Sequence, residues 1–67
     1  MDKEYIELNN FLKIKAGITT GGQAKIAIRA NLVAVNGRIE NRNKKKLISG
    51  DVVDYDDKTY VVDLSEF

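Results

Sequence analysis

The change of hydrophobic period at Leu32 constrains this chain more than any other feature. Upstream, Ala24, Ala27, Ile28 and Asn31 recur at i, i+3, i+4 and i+7, the spacing of one helix face. Downstream, Val33 and Val35 alternate with Ala34 and run into Asn36-Gly37, the dipeptide best suited to a two-residue type I′ hairpin turn. Arg38-Ile-Glu40 then returns as the second strand. A helical half followed by a stranded half, in 67 residues without proline, predicts one domain spanning residues 1–67.

The remaining punctuation fills in that outline. Tyr5-Ile-Glu-Leu8 alternates weakly and reads as a short first strand. Asn9 is expected to cap a helix over about residues 10–16 that turns Phe11, Leu12 and Ile14 toward a core and closes at Gly17. Thr20-Gly-Gly-Gln23 has the form of a capping box, with Thr20 as cap and Gln23 reaching back, so a second helix starts there. Asn31 stands where a left-handed closing residue belongs. After the first hairpin, residues 41–46 form a polar, basic loop and Ser49-Gly-Asp51 a turn. Val52–Tyr55 and Lys58–Val62 then make a second hairpin around Asp56-Asp57. The expected fold is α+β, with two short N-terminal helices packed on a small antiparallel β-sheet.

Charge is segregated far more strongly than the net value of +1 suggests. Between Lys13 and Lys46 lie nine basic residues (Lys13, Lys15, Lys25, Arg29, Arg38, Arg42, Lys44, Lys45 and Lys46) and a single acid, Glu40, which makes that segment +8. Residues 47–67 carry six acids against Lys58, or −5. Such a division predicts a basic surface for a polyanion, unless the charges merely coat a solvated surface. Histidine and cysteine are both absent, which removes the usual general base, the usual metal ligands and any disulfide. No nucleophile–base pair or metal cluster can be assembled from what remains, so neither an enzyme nor a cofactor is expected. No apolar run suggests a signal peptide or a membrane span, and a cytosolic setting is expected.

The stretch Gly17-Ile-Thr-Thr-Gly-Gly-Gln-Ala-Lys25 comes close to a nucleotide phosphate loop. However, Gln23 stands in place of its lysine and Ala24 in place of its magnesium-binding hydroxyl. What survives is a helix start whose free amides and glycines can receive a backbone phosphate, with Lys25 and Arg29 continuing along one face. The competing reading is that Gly21 and Gly22 only let two helices pack closely. The aromatic residues other than Phe11 lie in the acidic portions. Base stacking on single strands is therefore disfavoured relative to contacts with the phosphates and 2′-hydroxyls of a folded RNA.

Taken in order, FLKIKAG (11–17), GGQAKIAIRAN (21–31), VAVNGRIENRNKKKL (33–47) and SGDVV (49–53) resemble the alpha-L motif RNA-binding domain. That family is known from small-subunit ribosomal protein number four, and the whole chain is similar to its stand-alone bacterial, YaaA-like subgroup. The resemblance runs from about Leu8 to Val53. Asn31 departs from a common glycine, and Ala30 from a frequently charged position.

The resemblance implies RNA held on the two helices and the adjacent hairpin. Lys13, Lys15, Thr20, Gly22, Gln23, Lys25 and Arg29 would form the main contacts, joined by Asn36, Arg38 and Arg42, with Lys44, Lys45 and Lys46 flanking them. The implied partner is structured RNA, ribosomal RNA first and tRNA second, met as ribosomal particles assemble. Two other readings stay open. One is a helix-turn-helix-like DNA binder; the other is a protein-interaction domain using the acidic segment from Asp51 to Phe67.

Overall fold

The period change seen at Leu32 is the boundary between the two halves of the fold. The computed structural model describes residues 4–67. Its elements run β1 (Ile6–Glu7), α1 (Leu8–Lys15), α2 (Gly21–Arg29), β2 (Val33–Val35), β3 (Arg38–Ile39), β4 (Lys46–Leu47), β5 (Val52–Tyr55) and β6 (Lys58–Val61). A 3₁₀ turn at Leu64–Glu66 follows. Strands β3-β2-β5-β6, in that order, form an antiparallel sheet, and β1 pairs with β4 in a separate antiparallel ribbon.

Helix α1 starts two residues earlier than its sequence suggests. Glu7 occupies the cap position without a side-chain bond, and Asn9 lies inside the first turn. The open amides are instead satisfied from a distance: the Leu8 N–H donates to the Lys45 carbonyl at 2.8 Å and the Asn9 N–H to the Asn43 carbonyl at 3.1 Å. The loop before β4 thus acts as the cap, which no local signal in residues 5–12 could announce. Leu8, Phe11 and Leu12, at i, i+3 and i+4, form the buried stripe, while Ile14, two residues past Leu12 and so about 200° round the helix from it, points to solvent at 59% exposure. Gly17 closes the helix with φ 71°, as its position suggested.

Helix α2 follows its signals closely. The Thr20 hydroxyl accepts from the Gln23 N–H at 3.2 Å. The reciprocal half of the box is not made, because Gln23 Oε1 accepts from the Thr19 hydroxyl instead. At the other end Asn31, at φ 62°, donates its N–H to Ile28, and Leu32 donates to Ala27. That bond pair is a Schellman closure, and it turns the chain from helix into β2.

Both hairpins turn on paired left-handed residues, Asn36-Gly37 (φ 53° and 82°) and Asp56-Asp57 (φ 55° and 60°). Ala24, Ala27 and Ile28 of α2 join the α1 stripe, Ile6, Leu47, Val33, Val35, Val53 and Val62 in one core. The acidic segment contributes to this core as well. Tyr60 and Phe67 pack on Phe11 with ring centroids 6.2 and 6.1 Å away, the first edge-on.

Candidate nucleic-acid interface

Helix α2 presents its core face through Ala24, Ala27 and Ile28, so the rest of its circumference is solvent-facing. Gly22, Gln23, Lys25, Ile26 and Arg29 are all exposed. Among the described residues Lys25 and Arg29 have no carboxylate partner within ion-pair distance. A Cβ built at Gly22 would meet nothing closer than its own neighbour's Thr20 hydroxyl, at 4.0 Å. Close helix packing therefore does not explain the glycine at that position. Gly22 instead leaves the first turn of α2 open to an approaching group, with the positive end of the helix dipole behind it.

Lys13 and Lys15 lie in the last turn of α1, just before the connection to Thr20, so they share the corner where the two helices meet. They differ in availability. Lys15 Nζ is engaged by Glu66 of the C-terminal 3₁₀ turn at 2.5 Å, whereas Lys13 has no such partner among the described residues.

The basic loop packs against the start of α1. Its carbonyls at Asn43 and Lys45 are bonded to the start of α1, roughly 12 Å along an eight-residue helix from the Lys13–Lys15 end. Within it, Arg42 is held by Glu40 through Nε at 2.9 Å and Nη2 at 3.2 Å, and its backbone N–H donates to the same carboxylate. That fork of charged hydrogen bonds holds the Glu40 carboxyl below its usual range and the Arg42 guanidinium above its own. Lys44 and Lys46 are exposed and Lys45 half-buried. The Lys46 ammonium sits 4.9 Å over the Tyr5 ring. Arg38 is exposed on the short edge strand β3.

Asn36 plays a different part from the cations around it. Its Oδ1 accepts from the Val52 N–H at 2.9 Å, its Nδ2 donates to Asp51 at 3.0 Å, and its own N–H donates to the Val52 carbonyl at 2.7 Å. The amide is consumed in tying the first hairpin to the start of β5. Asp51 completes the tie by accepting from the Ile48 N–H at 2.9 Å. Sequence reasoning missed this network, although an Asn in a turn facing a Gly-Asp turn is a pairing that could have suggested it.

Among the described residues no helix is long and apolar enough to cross a membrane, and no three acidic side chains gather to hold a metal ion. Two short helices on a small sheet, with exposed cations around an open helix start, define an α+β module suited to a polyanion. A family model for the S4 domain matches residues 1–63, and the chain belongs to that family. It is 43% identical over 54 residues to the probable ribosome maturation protein RlbA of Bacillus subtilis, covering 81% of this chain and 76% of the relative. It is 37% identical over 51 residues to the putative RNA-binding protein YbcJ of Escherichia coli, covering 76% and 73% respectively.

Proposed function

We propose that this protein is a non-catalytic binding module for structured RNA, with ribosomal RNA in an assembling particle as its target in the cytoplasm. The observation that carries this reading is the open start of α2: Gly22 faces free space beside Lys25, which has no ion-pair partner among the described residues, and Arg29 continues the same side of the helix. A phosphate reaching this helix mouth would meet backbone N–H groups first and the cations next. The names of the two relatives, one for RNA binding and one for ribosome maturation, point the same way. Few side chains at the start of α2 can read base edges, since its first two residues are glycines. Recognition by shape and backbone follows, and favours folded RNA over duplex DNA.

The test is a fluorescence-anisotropy titration with a labelled ribosomal RNA hairpin, with duplex DNA and tRNA as competitors. Gly22→Ala should weaken RNA binding while leaving the fold intact or firmer. Equal affinity for the hairpin and for duplex DNA of the same length, or no loss of affinity on Gly22→Ala, would overturn the reading.

A further inference from the structure

The four-stranded sheet buries one face under the helices and leaves the other uncovered among the described residues. Its strand register sets Ile39, Ala34, Asp54 and Thr59 side by side in one cross-strand row on that outer face. This row floors an open concavity of about 620 Å³ closed at one end by the Asp56-Asp57 turn. A second concavity of about 410 Å³, lined by Ile18, Ile26 and Ala27, shares Leu32 and Tyr55 with the first. Leu32 and Tyr55 thus adjoin both concavities, which together make a surface track of mixed apolar and acidic lining. Leu32 and Ile39 are each 60% exposed along it and Ile26 is 70% exposed; Ile14, Ile48 and Val61 are exposed to a similar degree elsewhere on the surface.

The charge along this track is opposite to that of the RNA face. Asp54, Asp56 and Asp57 rim the larger concavity against Lys58 alone. Phosphate is repelled there, and a cation is attracted. We propose that this track is a docking site for a basic protein segment, one that sets aliphatic side chains on Leu32 and Ile39 and lysine or arginine side chains against Asp54, Asp56 and Asp57. The module then has two working faces, RNA on the helix corner and a basic protein on the outer sheet. Charge complementarity selects the occupant, since an RNA would meet like charge and an acidic peptide would meet the same three carboxylates.

A labelled ten-residue peptide alternating lysine with leucine serves as the probe. Two controls accompany it, one with glutamate in place of lysine and one with serine in place of leucine. Anisotropy titrations and amide chemical-shift mapping on the full chain are the readouts. The lysine–leucine peptide should bind at least tenfold more tightly than either control and shift the amides of Leu32, Ala34, Ile39 and Asp54–Thr59. The double change Asp56→Asn, Asp57→Asn keeps residues that tolerate the left-handed turn and should weaken the peptide roughly tenfold. Ile39→Ser should weaken it comparably, and hairpin RNA affinity should stay within about twofold in both variants. Equal binding of all three peptides would overturn the proposal. So would shifts centred on Lys25 and Arg29, or concentration-dependent dimerisation through the track in the absence of peptide. The peptide titrations and the shift mapping do not depend on RNA binding, so the two functional readings fail separately.

Discussion

Gly22 and Asn36 show how differently two residues of one motif can serve. An unobstructed glycine inside a helix should be improved by a methyl group, so Gly22→Ala is expected to raise stability by about 0.5–1 kcal/mol in urea denaturation. Loss of RNA affinity in that more stable variant would separate binding from folding. Asn36 holds a left-handed turn position and three bonds to the neighbouring strand and turn. Asn36→Ala should therefore lower stability by roughly 2–3 kcal/mol in the same denaturation experiment. The protein that remains folded should bind RNA almost unchanged. Ile14→Ala should be close to neutral, while Phe11→Ala, fully buried beneath two other rings, should cost about 3–5 kcal/mol.

At the scale of elements, the cations divide by whether the fold has already engaged them. Lys25 and Arg29 on α2 are unpaired among the described residues, whereas Lys15 is tied to the 3₁₀ turn and Arg42 to Glu40. Replacing Lys25 or Arg29 by alanine should reduce RNA affinity and shrink the log–log salt slope by roughly one unit per lost phosphate contact. Lys15→Ala and Arg42→Ala should change the slope less, because an internal carboxylate already neutralises each side chain. Salt titrations of the four variants would show the difference. The loop carrying Arg42 also caps α1, so its sequence matters to the helix as well as to any ligand.

The whole molecule should respond to acid through two carboxylates. Glu40 is held below its usual range chiefly by the hydrogen bond from Arg42, and Asp63 by bonds from the Ser65 hydroxyl and N–H. A folded-state value below the unfolded one means the stabilising contribution is complete above the ordinary carboxylate range. It is lost as pH falls through the lowered values. Thermal denaturation between neutral pH and about pH 3 should show this decline, and Glu40→Gln should flatten part of it. The C-terminal segment links this behaviour to the RNA face, because the turn capped by Asp63 carries the Glu66 that holds Lys15. Acidification should therefore loosen Lys15 as the turn frays.

Local chemistry by itself determined the order of helices and strands, the Thr20 cap, the left-handed closures at Gly17 and Asn31, and the first hairpin's turn. Each depends on residues within four or five positions of one another, so each is written in a short stretch of sequence. Segregated charge also announced a basic and an acidic half. Only the tertiary structure decided that β1 pairs with β4, that the 43–45 loop caps α1, and that Ile14 faces outward. It alone paired Lys15 with Glu66, 51 residues away, and set Tyr60 and Phe67 against Phe11. These outcomes depend on which distant segments meet, and a backbone carbonyl or a lone carboxylate carries no local sign of the partner it will find.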